Sequence, residues 1–112
     1  MQPGVVVWAD FGDGVGTEQS GRRPGVVVSS ADHLAITANL AVVLPATTVD
    51  RGWPNHVRLT GSTGLTKHSY VMTEQARTIS HERILKVVGA VDAACLSEIA
   101  TWVDDWLISP TG

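Results

Sequence analysis

Apolar residues along this chain come in short, β-branched runs set between turn signals, and that spacing predicts a sequence of strands. "GVVVWADF" (4–11) reads as a first strand and "PGVVVS" (24–29) as a second. "ITANLAVVL" (36–44) reads as a third, ended by Pro45, which has no N–H for a ladder. "NHVRL" (55–59) alternates polar and apolar, as a half-exposed strand does. Residues 69–73, 75–79 and 86–91 complete the set, with "DRGWP" and "TGSTG" as turns. A short turn is expected to start at Ser80.

The period then changes. Leu96, Ile99, Val103, Trp106 and Leu107 fall on one helical stripe, with Glu98, Thr101, Asp104 and Asp105 mostly off it. One helix is expected over 93–107, capped by Asp92. Several short strands and one terminal helix describe a mainly β chain with α (α+β): a small twisted barrel, closed to remove its edges, with the helix packed against it.

Composition narrows the class. The 112 residues suit one domain spanning 1–112. With 44% hydrophobic and 17% charged residues, a packed core is affordable and disorder is not expected. At this size roughly 60% or more of the unfolded surface is buried without staples. The single cysteine, Cys95, allows no internal disulfide and reads as a small core residue. No signal peptide and no membrane-length apolar stretch stand out, so a cytoplasmic protein without a membrane partner is expected.

The net charge of −3 argues against nucleic acid until its distribution is read. All eight Lys and Arg, and all four His, lie between Arg22 and Lys86, a window holding only Asp32, Asp50, Glu74 and Glu82 as acids. Such asymmetry is the electrostatic footprint of a polyanion site.

Most chemical motifs fail. "GDGVG" (12–16) lacks both the spacing and the following GK[ST] of a phosphate loop. His56, His68 and His81 have no carboxylate or Cys at metal spacing, so no metal site is expected. No GxSxG is present and Ser29–Ser30 have no evident base. What remains is Glu18, the Arg22–Arg23 pair, and Thr47–Thr48 after Pro45. That set suits an RNA phosphodiester. RNA carries its own nucleophile, the 2′-hydroxyl. The enzyme then supplies a base, a cation on the phosphorane and a proton for the leaving oxygen. The bland alternative is that Glu18 pairs with an arginine and the threonines cap a turn.

The stretch "GTEQSGRRPGVVVSS" (16–30) resembles the G-[ST]-E-Q-x-G-x-R-P hallmark of MazF/PemK-type toxin endoribonucleases, the mRNA interferases of type II toxin–antitoxin systems. "VVLPATT", "RGWPNHVRL", "EQARTI" and the C-terminal "VVGAVDAACLSEIATWVDDWL" are similar, in order, to that family's further motifs. The resemblance implies an SH3-like small β-barrel with a C-terminal helix, a homodimer, and metal-independent cleavage of single-stranded RNA with no cofactor. A cognate antitoxin would silence it, and DNA would be met only indirectly, through the toxin–antitoxin complex. It assigns catalysis to Arg23, Thr47 (or Thr48) and Glu18, the last as base or as an orienting residue. Arg22, Gln19, Thr48, Arg77, Arg58 and Lys67 are expected to contact RNA. The glycine-rich loop lacks the family's usual proline. The fold also hosts a relative that poisons gyrase without cutting RNA, so a non-nucleolytic toxin or an antitoxin-binding protein is the alternative. Packing of Val26 and Val28 is expected to hold Arg23 in place.

Overall fold

The computed structural model describes residues 1–12, 21–37 and 39–107. Seven strands carry the fold: β1 (Val5–Asp10), β2 (Arg22–Val27), β3 (Leu40–Thr47), β4 (His56–Arg58), β5 (Tyr70–Met72), β6 (Arg77–Ser80) and β7 (Ile84–Ala90). Helix α1 (Ala31–Ile36) follows β2, and α2 (Ala93–Leu107) follows β7. All pairings are antiparallel, in the order β4-β5-β3-β2-β1-β7, with β6 also on β3. Strand pairing leaves this sheet open between β4 and β7. The segment that continues from β4 completes the ring instead: Ala90 N donates to Ser62 O at 3.0 Å and Asp92 N to Thr60 O at 3.0 Å.

Strands β5 and β6 run one after the other along the same edge of β3. Thr47 pairs with Tyr70 and Val43 with Arg77, so four steps on β3 answer to seven on the other side. The surplus residues form the 3-10 turn Thr73–Gln75, a three-residue insertion in the ladder.

That insertion explains one departure from the sequence reading. The third strand does not stop before Pro45; it runs through it to Thr47. Val28 N bonds Val42 O, while His81 N bonds Asn39 O, so even positions of β3 face β2 and odd positions face β6 and β5. The Pro45 nitrogen therefore faces the gap at the 3-10 turn, and the ladder loses no donor.

The strand also starts later than expected, because residues 31–36 are helical. Ser30 caps this helix, its Oγ accepting from His33 N at 3.1 Å. Thr37 closes it by donating its hydroxyl to His33 O at 2.7 Å. None of its residues is buried, so no apolar period announces it.

The sheet buries both faces. Val6, Val26, Leu44, Ala46, Val57 and Val71 form one apolar cluster with Cys95 and Ile99 of α2. Val7, Ala9, Phe11, Val27, Ala41, Val43 and Ile79 form the other, with Leu34 of α1 against it. Adjacent valines of one run thus serve opposite cores, which is why the runs read as continuous rather than alternating. Asp92 caps α2, accepting from Cys95 N at 2.8 Å. Burial pushes the Cys95 thiol above its ordinary pKa, as suits an inert core residue. Among the described residues no helix is long and apolar enough to cross a membrane.

Candidate active site

The site candidates fall on one row across the sheet. Ala9 pairs with Arg23. The β2–β3 register runs Val27–Val43, Val26–Leu44 and Gly25–Pro45, and two further steps set Arg23 opposite Thr47. Thr47 pairs with Tyr70, and Tyr70 with Arg58. Cross-strand partners share a face, so Arg23, Thr47, Tyr70 and Arg58 stand side by side.

Pro24 has a specific role in this row. Even positions of β2 direct their backbone polar groups toward β3, as Val28 N does toward Val42. Pro24 is one of these positions but has no N–H, so the Ala46 carbonyl opposite it receives no ladder bond there. Arg23 Nη1 donates to that oxygen instead, at 3.4 Å. The guanidinium is thereby anchored beside Thr47. Its partial burial lowers its pKa through desolvation. Val27, not Val26 or Val28, lies on Arg23's face of the strand. Val26 packs into the opposite core. Val26 and Val28 thus pack inward as expected, from the side opposite Arg23, and Val27 adds burial on Arg23's own side.

Thr47 Oγ1 accepts from Val49 N at 3.1 Å. The turn-capping alternative is therefore real, yet it uses only an acceptor site and leaves the hydroxyl proton free to donate. Thr48 lies beyond the strand end and is exposed.

Arg22 alternates to the other face and pairs across β1 with Asp10, so the basic window does not present one uniform face. Glu18 and Gln19, with most of the glycine-rich stretch, lie outside the described residues. The stem of their loop is defined: Phe11 N donates to Gly21 O at 2.9 Å and Gly21 N to Gly12 O at 2.7 Å. Arg77 is tied to this stem, donating Nη2 to Phe11 O at 3.0 Å with its guanidinium 5.9 Å from the Phe11 ring centroid. Arg83, which sequence reasoning missed, lines the same recess together with Gly12, Thr78 and Ser80. Arg58 is exposed, its Nη2 3.0 Å from His68 Nε2. Lys67 is exposed beside His68, and its carbonyl accepts from Ser69 Oγ at 3.1 Å.

Two pairings were not foreseen. His56 does have a carboxylate partner, Glu74, at 3.0 and 3.1 Å from its Nε2. Asn55 Nδ2 donates to the same carboxylate at 3.0 Å, and the Trp53 ring lies 4.8 Å from the imidazole, centroid to centroid. Trp106 Nε1 donates to Thr73 Oγ1 at 3.1 Å, and Thr73 donates to Asn55 O at 2.8 Å. Together these bonds tie α2 to β4 and the 3-10 turn. Among the described residues no three His, Cys, Asp or Glu side chains gather as a metal would need. Ser29 likewise has a histidine: His33 Nδ1 lies 3.0 Å from its Oγ. That hydroxyl is buried and accepts from Val42 N at 2.6 Å, so it serves as a structural bridge.

Tyr70 was also missed. Its only sequence signal is parity: it flanks the inward Val71 and so faces the row.

Known proteins fit this geometry. The chain matches the family of PemK-like, MazF-like toxins of type II toxin–antitoxin systems over residues 2–107. It is 32% identical over 105 residues to endoribonuclease MazF9 of Mycobacterium tuberculosis, covering 88% of this chain and 89% of that one. The crystal structure of MazF (form I) from Deinococcus radiodurans superposes with a TM-score of 0.82 at 28% identity, over 96% of each chain. A MazE–MazF structure from the same organism gives 0.76 at 28% identity, over 97% of each. The chain belongs to the PemK/MazF family of type II toxins.

Proposed function

We propose that this chain is an endoribonuclease that cuts single-stranded RNA at short sequences and so blocks translation. The observation carrying this reading is the β2–β3 register, which two steps beyond Gly25–Pro45 sets Arg23 opposite Thr47, a cation beside a hydroxyl donor, both half-buried. In the proposed reaction the ribose 2′-oxygen attacks the adjacent phosphorus and gives up its proton. The bond to the 5′-oxygen breaks, and that oxygen takes up a proton. The products are a 5′-hydroxyl end and a cyclic phosphate, or the terminal 3′-side phosphate that remains once water opens the ring. Arg23 and Thr47 stabilise the charge developing on the phosphorane. Arg23 also stands where it can hydrogen-bond the leaving 5′-oxygen and assist its protonation. Glu18 either accepts the 2′-proton or orients Arg23. Because the nucleophile belongs to the substrate and the cation to the protein, no metal is needed.

The row spans a single small sheet, and two copies side by side would extend it into a groove for several nucleotides. A homodimer is proposed on that ground. A cognate antitoxin is proposed as the silencing partner, as in the MazE–MazF pair. The test is purified protein with a long RNA in EDTA. Discrete fragments with 5′-hydroxyl ends are expected. RNA left whole across varied sequence contexts overturns the reading.

A further inference from the structure

Tyr70 is the one aromatic residue on the row that holds Arg23 and Thr47. It sits between Thr47 of β3 and Arg58 of β4, paired with both. Its neighbours Val71 and Met72 are fully buried, whereas Tyr70 is only half-buried and joins neither apolar cluster among the described residues. A large ring left out of both cores, standing between a threonine and an exposed arginine, calls for a ligand rather than a packing partner.

Its flank is built as well. Arg58 is exposed, and a long exposed arginine ordinarily samples many rotamers. Here His68 holds it. Since a guanidinium only donates, the imidazole Nε2 at 3.0 Å is the acceptor and carries no proton. His68 sits two residues before Tyr70, just ahead of β5, which pairs with the strand of Arg58, so the clasp and the ring share one hairpin. Adjacent strands lie about 4.8 Å apart, so the three strand steps from Arg23 to Arg58 span about 14 Å. That length accommodates the nucleotide next to the scissile phosphate.

We propose that Tyr70 and Arg58, with His68 as the residue that positions Arg58, form a subsite for that neighbouring nucleotide. Its base stacks on the Tyr70 ring and its outer phosphate is bound by Arg58. This rests on the endoribonuclease reading and deepens it, since it assigns base recognition to a position beyond the two groups at the phosphorus. Stacking on one aromatic ring is worth roughly 1–3 kcal/mol per base, so loss of the ring should weaken binding of that base by about tenfold, within a wider range.

The experiment uses short RNAs centred on a cleavage site first mapped on a long RNA with the wild-type protein. Each RNA carries one abasic residue, stepped through the positions flanking the cut. Wild type is expected to lose about tenfold in kcat/KM at one position within two nucleotides of the cut. Tyr70→Phe should keep that profile. Tyr70→Leu, which retains apolar bulk but no aromatic face, should show the loss on intact RNA and no further loss with the abasic one. His68→Ala should raise KM on intact RNA without changing kcat. An abasic profile for Tyr70→Leu that matches wild type overturns the subsite while leaving the nuclease intact. Failure of the wild-type protein to cut the long RNA overturns the nuclease reading itself, and the subsite with it. Circular dichroism of each variant separates loss of the subsite from loss of the fold.

Discussion

Arg23 donates its Nη1 to the carbonyl of Ala46, 23 residues away, at 3.4 Å. The proline next to Arg23 leaves that carbonyl unclaimed by the ladder, so a missing donor on β2 turns a β3 carbonyl into the anchor for a β2 side chain. The bond is long and alone does not hold a guanidinium rigidly. The strand beneath it adds the rest, since Gly25 and Val27 are buried against β3.

Arg23 and Arg22 differ by one position and should differ sharply in effect. Arg23→Ala should lower single-turnover cleavage by roughly 10²–10³-fold, about 3–4 kcal/mol, as the loss of a transition-state donor does. Arg22→Ala, on the opposite face beside Asp10, should leave the chemical step near normal and at most flatten the salt dependence of RNA binding by about one counterion. Abolished cleavage in Arg22→Ala with near-normal cleavage in Arg23→Ala would reverse the assignment.

Pro24→Ala tests the anchor. It restores an N–H facing Ala46 O, and the ladder should extend by one bond at the expense of the Arg23 contact. The amide of residue 24 should become protected in hydrogen exchange, while cleavage falls through kcat more than KM. An unprotected amide at that position contradicts the role given to Pro24.

Ring closure depends on two glycines, one on each side of the closing contact. A Cβ at Gly64, which has φ +74°, would run into the Val88 carbonyl oxygen, and one at Gly89 into the backbone of Ser62 and Thr63. In both cases the obstacle is backbone, which cannot swing aside. Gly64→Ala or Gly89→Ala should cost at least about 2 kcal/mol in stability. Thermal melting should show it as a drop of about 4–8 °C per kcal/mol. Gly52→Ala serves as the control: it has a similar φ of +72° but nothing within 4 Å of its Cβ, so it should lose less.

The helix cap makes acid stability depend on Asp92. The bond from Cys95 N, then one from Thr60, lower the Asp92 pKa below the ordinary carboxylate value. A carboxyl whose folded pKa is depressed stabilises the fold fully above its unfolded pKa, near 3.9, and loses that contribution as pH falls through the folded value. Asp92→Asn keeps a capping oxygen without the titration. Urea midpoints should therefore fall less between neutral pH and pH 3 in Asp92→Asn than in wild type. Equal acid losses in the two proteins would remove Asp92 from the linkage.

By itself the sequence determined what local pattern can encode. The apolar runs marked all seven strands, six of them to within two residues, and the single stripe from Leu96 to Leu107 marked α2 together with its Asp92 cap. The order of motifs, from Arg23–Pro24 through Thr47 to the Glu74–Arg77 stretch, marked the family. Local pattern misled where neighbours decided the outcome. Pro45 looked like a stop because its missing donor is visible in sequence, whereas the gap that tolerates it is made by a 3-10 turn 28 residues later. Helix α1 was invisible because six residues that bury nothing carry no period; its caps and the packing of Leu34 supply what propensity lacks. Only the tertiary structure set Arg23 opposite Thr47, Thr47 opposite Tyr70, and His56 against Glu74. Those relationships are matters of register. Register follows from loop lengths, a three-residue insertion and two cores packed at once, and no stretch of sequence contains all of these.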